Sequence, residues 1–195
     1  MTLNTSGTFY NKLSEKREDS ADLKSCIEKT VTKLLGSETD LKTPGILLGK
    51  IQSGKTRAFL GVIALAFDNG HDIAIVLTKG TKPLTEQTLK RLNNDFKDFI
   101  SEKLLQVHDI MSFPGNLTKY ELDQKMVIVA KKQIDNLRHV LDAIITKYPE
   151  LKGKKVLIVD DEADFAGLSF HKNKETGNTE QGALANKIDE IRTNA

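Results

Sequence analysis

The run Gly49-Lys50-Ile51-Gln52-Ser53-Gly54-Lys55-Thr56 fits the pattern G-x-x-x-x-G-K-[ST]. The glycines Gly49 and Gly54 let the backbone turn tightly, so that successive N–H groups, those of Gln52 and Ser53 among them, face a phosphate. A helix starting behind the turn adds the partial positive charge of its N-terminus. Lys55 reaches towards the β- and γ-phosphates, and Thr56 offers its hydroxyl to Mg2+. The chemistry is therefore the binding of a nucleoside triphosphate with Mg2+. The neighbouring Lys50 and Arg57 read as solvated charges rather than phosphate contacts.

A second cluster lies downstream, where Val156-Leu157-Ile158-Val159-Asp160 runs into Asp161-Glu162-Ala163-Asp164. Four apolar residues in a row predict a buried parallel strand, and the carboxylates then emerge at its C-terminal end, where open α/β sheets bind ligands. In a phosphate-loop protein Asp161 holds Mg2+, largely through water, and Glu162 orients and activates the attacking water. Two other readings stand beside this one. The residues from Leu157 to Glu162 also look like the opening strand of a response-regulator receiver, although too little chain follows Glu162 to complete one. A solvated acidic turn is the third reading. The upstream phosphate loop favours the first.

These residues need a scaffold, and the pattern after Pro44 supplies one: short apolar runs alternate with helical segments, as in a parallel sheet covered by helices. Strands are predicted at 46–48, 73–78, 105–108, 126–130 and 156–160. Helices are predicted near 55–67, 84–100 and 133–147, with a weaker one near 184–191. The fold class is α/β, a mostly parallel central sheet flanked by helices on both faces and joined by right-handed crossovers. The helical stripes of 84–100 and 133–147 read as core. Before this domain, residues 21–35 carry Leu23, Cys26, Ile27, Val31, Leu34 and Leu35 at helical spacing, capped by Asp19 or Ser20 and stopped at Gly36. Cys26 is expected to be buried there. Residues 1–19 are polar and are expected to lie on the surface or fray. The division is thus an N-terminal extension, 1–43, with an amphipathic helix, and an ATPase-like domain, 44–195. The polar stretch 170–181 reads as an exposed loop.

Composition removes several classes. Lys and Arg number 29 against 27 Asp and Glu, a net charge of +2, so no one-signed field points to nucleic acid or membrane. One cysteine excludes an internal disulfide, and the four scattered histidines, His71, His108, His139 and His171, form no metal or catalytic set. No apolar run approaches the about 20 residues needed to cross a bilayer, and the N-terminus has no apolar leader segment. The chain reads as soluble and cytoplasmic, without a membrane partner.

With both motifs present, the sequence resembles the first RecA-like motor domain of superfamily II, DEAD-like helicases and translocases. The residues 49–56 are similar to motif I, and Asp161-Glu162-Ala163-Asp164 to motif II in its literal D-E-A-D form, with Asp164 coupling the motifs. The segment Thr78-Lys79-Gly80-Thr81-Lys82-Pro83-Leu84-Thr85-Glu86-Gln87 resembles motif Ia. Val127-Ile128-Val129-Ala130-Lys131-Lys132-Gln133 resembles the region of motif Ib. In this family both contact the nucleic-acid backbone, and hydroxyls, lysines and a helix N-terminus suit phosphate oxygens. The resemblance implies ATP and Mg2+ as cofactors and ATP hydrolysis as the activity. It names Thr78, Lys79, Lys82, Lys131 and Lys132 as nucleic-acid candidates, and nucleic acid, DNA ahead of RNA, as the partner. The pattern stands closer to restriction- and defence-associated bacterial members than to the strict DEAD-box RNA helicases.

The sequence departs from the family in three places. No glutamine precedes Gln52 to read adenine, no S-A-T or T-A-T segment follows motif II, and the second RecA-like domain with its arginine finger is absent. The expectation is an N-terminal fragment of a longer motor that needs its C-terminal RecA-like domain and by itself hydrolyses nucleotide barely. The competing readings are a phosphate-loop switch or phosphotransferase that ignores nucleic acid, and a scaffold with a vestigial nucleotide site.

Overall fold

The N-terminal residues meet the physical requirements of a helix despite their polarity, because Phe9, Tyr10 and Leu13 fall on one face of a 3.6-residue repeat. In the computed structural model, which describes residues 2–37, 54–79, 81–161, 170–172 and 179–194, they lie in helix α1, Thr8–Lys16. All three side chains are buried. This corrects the expectation of a fraying surface segment: three large apolar groups are enough once neighbouring helices cover them. The chain divides into two compact units, Met1–Asp72 and Ile73–Ala195.

The first unit contains α1, α2 (Ala21–Leu35) and α3 (Lys55–Asp68). Ser20 caps α2, its hydroxyl accepting from the Leu23 N–H at 3.3 Å, and Gly36 ends it. Ile27 and Val31 are fully buried. Cys26, expected in the core, is exposed: it stands one residue before Ile27, about 100° round the helix, and misses the buried stripe. Helix α3 is buried at every position from Ala58 to Phe67, and α1 and α2 both pack on it. Gly61 permits the approach of α2, since a Cβ there would stand 2.3 Å from Ile27 Cδ1. At the other end Phe67 meets the edge of Phe9, with ring centroids 5.7 Å apart.

The second unit is α/β with a four-stranded, all-parallel sheet. Its strands are β1 (Ile73–Thr78), β2 (Leu105–Asp109), β3 (Lys125–Lys131) and β4 (Val156–Asp160), in the order β2-β3-β1-β4. The predicted strands 73–78 and 156–160 have these bounds; 105–108 is longer by one residue at its end, and 126–130 by one residue at each end. The predicted strand 46–48 lies outside the described residues. In register, Thr78 faces Lys131 and Leu77 faces both Ala130 and Asp160. Every residue of β1 is buried, as are the five central residues of β3, so both faces of the sheet centre are covered. The chain moves from β1 to β2 in one direction across the sheet and from β3 to β4 in the other. Right-handed crossovers then put the first connection on one face and the last on the opposite face.

The first connection is not the single helix that 84–100 predicts. It breaks into α4 (Lys82–Asp95) and α5 (Lys97–Ser101) at Phe96, which leaves helical geometry with its ring fully buried beside Phe99. Short helix α6 (Lys119–Leu122) precedes β3 and starts with a capping box between Thr118 and Glu121. The predicted helix 133–147 becomes α7 (Ile134–Leu141) continued by a wider π turn over Asp142–Lys147, closed by Tyr148 N–H donating to Ala143 O at 3.1 Å. The stretch expected as a plain loop holds an antiparallel pair, β5 (Phe170–Lys172) with β6 (Thr179–Gln181), before α8 (Ala183–Asn194). Among the described residues no helix is long and apolar enough to cross a membrane.

Candidate functional site

The G-K-T end of the glycine-rich motif coincides with a helix start. Gly54 is the residue before α3 and has φ 75° and ψ 23°, left-handed values that a side chain resists. Among the described residues a Cβ at Gly54 would meet nothing within 4 Å, and the left-handed φ itself is what favours glycine there. Its carbonyl accepts the first helical bond, from Ala58 N–H at 2.9 Å, and as a glycine it has no side chain with which to cap the helix. The first turn of α3, whose N–H groups carry the partial positive charge of the helix end, holds Lys55, which is exposed, and Thr56, which is half-buried. An anionic phosphate chain suits this end, and the Thr56 hydroxyl is an oxygen donor of the kind Mg2+ takes. Gly49, Gln52 and Ser53 lie outside the described residues, as do Lys50 and Ile51.

Arg57, read as a solvated charge, is engaged. Its Nε donates to Asp19 Oδ1 at 2.7 Å, and Arg17 Nη2 donates to the other carboxylate oxygen at 2.5 Å. Asp19 shows no side-chain surface to solvent. Nothing in the sequence singled out Asp19 except its candidacy as a helix cap, and Ser20 takes that place.

The second cluster forms at the C-terminal ends of the parallel strands. Asp161 extends the ladder past β4, its N–H donating to Leu77 O at 3.0 Å, and Lys132 does the same past β3, its N–H donating to Thr78 O at 2.8 Å. Lys132 then reaches over the end of β1 to Asp160, with Nζ 2.8 Å from Oδ1. The lysine side chain is 3% exposed and the aspartate 24%. Asp161 is half-buried beside this pair. Glu162 and Asp164 lie outside the described residues.

The nucleic-acid candidates separate into two groups. Thr78 and Lys132 are buried: the Thr78 hydroxyl shares a 3.0 Å hydrogen bond with that of Thr85, and Lys132 is held as above. Neither presents its polar group to solvent. Lys82 is exposed and pairs with Glu86 at 3.7 Å, one turn along α4, while Lys79 and Lys131 are half-buried. The Lys131 N–H donates to Asn136 Oδ1 at 3.2 Å.

His108 has a packing role. Its Nε2 lies 2.8 Å from Gln106 Oε1 and its ring stands edge-on to Phe113, and burial lowers its pKa against the opposing charge of Glu121. The Glu121 carboxyl is itself held below its ordinary value by the hydrogen bonds from the Thr118 hydroxyl and N–H. In the first unit burial, followed by the hydrogen bond to Glu28, raises the Tyr10 phenol. None of these three groups belongs to the phosphate or acidic motifs. Comparison with family models, with curated protein sequences and with solved structures returned no match to this chain.

Proposed function

We propose that the chain is the RecA-like, phosphate-loop ATP-binding domain of a nucleic-acid-dependent helicase or translocase. The observation that carries the reading is the left-handed Gly54 at the start of α3, where the motif requires a turn that hands a phosphate to a helix N-terminus. The all-parallel sheet, with the acidic run leaving the C-terminal end of β4, supports it from the second unit.

In this reading Lys55 neutralises the β- and γ-phosphates and the N–H groups of 49–56 orient them. Thr56 and Asp161 are the oxygen donors for Mg2+, which when bound neutralises phosphate charge. Glu162 accepts a proton from the attacking water, and Asp164 couples the motifs to one another. Among the candidate lysines, Lys79, Lys82 and Lys131 meet a nucleic-acid backbone.

Calorimetric titration with Mg·ADP and Mg·ATP tests the proposal on this chain and on Lys55→Ala. Saturable binding is expected, weakened at least about tenfold in the variant, the loss of one charge-assisted phosphate contact. Equal affinity in both proteins, or no binding in either, overturns it. Adding single- and double-stranded DNA and RNA to the same series tests the partner. Nucleotide binding that ignores all four favours a phosphate-loop switch instead.

A further inference from the structure

The first unit holds a buried charge cluster that the phosphate motif does not call for. Helix α1 ends in a turn in which Asp19 N–H donates to Ser14 O and Glu18 N–H to Glu15 O, both at 3.0 Å. This is the pairing of a Schellman motif, but the residue in the left-handed position is Glu18, at φ 50°, rather than glycine. A non-glycine residue there costs about 1 kcal/mol. The turn delivers the residues on either side of Glu18 to α3. Asp19, with its side chain fully buried, binds Arg57 Nε and Arg17 Nη2. Arg17 uses its other arm to donate to the Arg57 carbonyl at 3.1 Å. Arg57 is thus gripped by both its side chain and its backbone, in the same helical turn as Lys55 and Thr56.

A buried carboxylate is tolerated only when paired, and two guanidinium groups around one carboxylate leave the cluster with one net positive charge. The arrangement fixes where the charge of Arg57 sits. Its Nε–H is committed to Asp19, although 45% of the side chain remains exposed.

We propose that Asp19 and Arg17 make Arg57 a positioning residue for the phosphate-binding turn: Arg57 acts on a bound phosphate chain through Asp19 and the first turn of α3, and does not touch the phosphate. This rests on the nucleotide-binding reading above. It assigns the N-terminal helices a part in nucleotide affinity, as the brace that sets the turn presenting Lys55.

The test is a double-mutant cycle on the whole chain, with Mg·ADP as the probe and thermal unfolding measured alongside. Arg57→Gln and Asp19→Asn are each expected to weaken Mg·ADP binding about tenfold, and the double variant to be no weaker than the worse single, because both break one device. Binding is measured well below each unfolding midpoint, so a merely structural role would shift the midpoint and leave affinity alone. Arg57→Gln also separates contact from positioning without Asp19→Asn, should that variant fail to fold. The salt dependence of Mg·ADP affinity is expected to match wild type, whereas loss of a direct phosphate contact makes it shallower. Three results overturn the inference: additive losses, a shallower salt dependence in Arg57→Gln, or undiminished affinity in Asp19→Asn. Absence of binding in the wild-type chain overturns the nucleotide reading itself, and the inference with it.

Discussion

Gly61→Ala tests whether the close approach of α2 to α3 is as tight as the atoms indicate. Two opposing effects must be weighed. Alanine in a helix interior is favoured over glycine by about 1 kcal/mol. Against this, the new Cβ stands 2.3 Å from Ile27 Cδ1, 3.1 Å from its Cγ1 and 3.3 Å from Arg17 Nη2. Ile27 is fully buried and has little room to withdraw. Overpacking of this kind costs about 1–3 kcal/mol, so the net effect is a loss of about 1 kcal/mol. Ile27→Val removes Cδ1, the atom in closest conflict, and alone costs about 1 kcal/mol. In the double variant the alanine methyl occupies the space that Cδ1 leaves, and the helix-propensity gain is kept. Gly61→Ala/Ile27→Val is therefore expected within about 0.5 kcal/mol of wild type, a coupling of about 2 kcal/mol between the two sites. Urea denaturation followed by helical circular dichroism measures it, with an unchanged m-value showing that the shift is one of stability. A double variant less stable than either single would refute the packing argument.

Three further perturbations probe other parts of the molecule. Asp68→Ala removes the acceptor of the Phe9 and Tyr10 N–H groups, bound at 3.1 and 2.7 Å, which substitutes for the cap that Gly7 lacks; a loss of about 1–2 kcal/mol is expected, with faster hydrogen exchange at those two amides. Lys132→Met takes the buried ammonium from Asp160. The cost is expected on the order of 2 kcal/mol, below the ~3–5 kcal/mol for a fully buried pair because the carboxylate is partly in water, and Asp160→Leu in the same chain should recover part of it by denaturant titration. Burial lowers the His108 pKa in the folded chain, so the unfolded chain binds more protons as pH falls through the ordinary value of 6.5. Stability is therefore undiminished by this residue above that value and falls as pH drops from 6.5 through the lowered folded value; thermal midpoints between pH 7.5 and about 5 should be flatter in His108→Gln. An equally steep profile in the variant would refute the assignment.

The sheet was legible because its strands are continuous apolar runs. Ile73-Ala74-Ile75-Val76-Leu77 and Met126-Val127-Ile128-Val129-Ala130 are buried on both faces, and their short length and β-branched content set them apart from the longer apolar run 58–67 of helix α3. The start of α3 was legible for a related reason: glycine before Lys-Thr announces both the left-handed residue and the helix behind it. Helix α1 was not legible, because its fixing groups are distant in sequence. Asp68, which caps it, and Gly61 and Ile27, which let the three helices close, say nothing about residues 8–16 when read locally. Side-chain commitments were harder still. Thr78 and Lys132 read as surface groups, since hydroxyls and ammonium groups are usually solvated. Burial of Thr78 depends on Thr85, which the turn from β1 into α4 returns to it, and burial of Lys132 on Asp160, which the register of β1, β3 and β4 brings within reach.

That register explains why Lys132 can cross a whole strand. Sheet neighbours stand about 4.8 Å apart, so β3 and β4 lie nearly 10 Å from one another with β1 between them. A lysine spans that gap only if its own backbone is held at the level of the strand end, and the bond from Lys132 N–H to Thr78 O holds it there. The matching bond from Asp161 N–H to Leu77 O fixes the end of β4 at the same height. Consecutive carbonyls of β1 thus set the level of both neighbours, and the Lys132–Asp160 pair closes the arrangement above them. Asp161 therefore leaves β4 from a backbone anchored by β1 on one side and preceded by a neutralised carboxylate. The acidic run can carry two adjacent aspartates at a sheet end because the charge of the first is already balanced by Lys132.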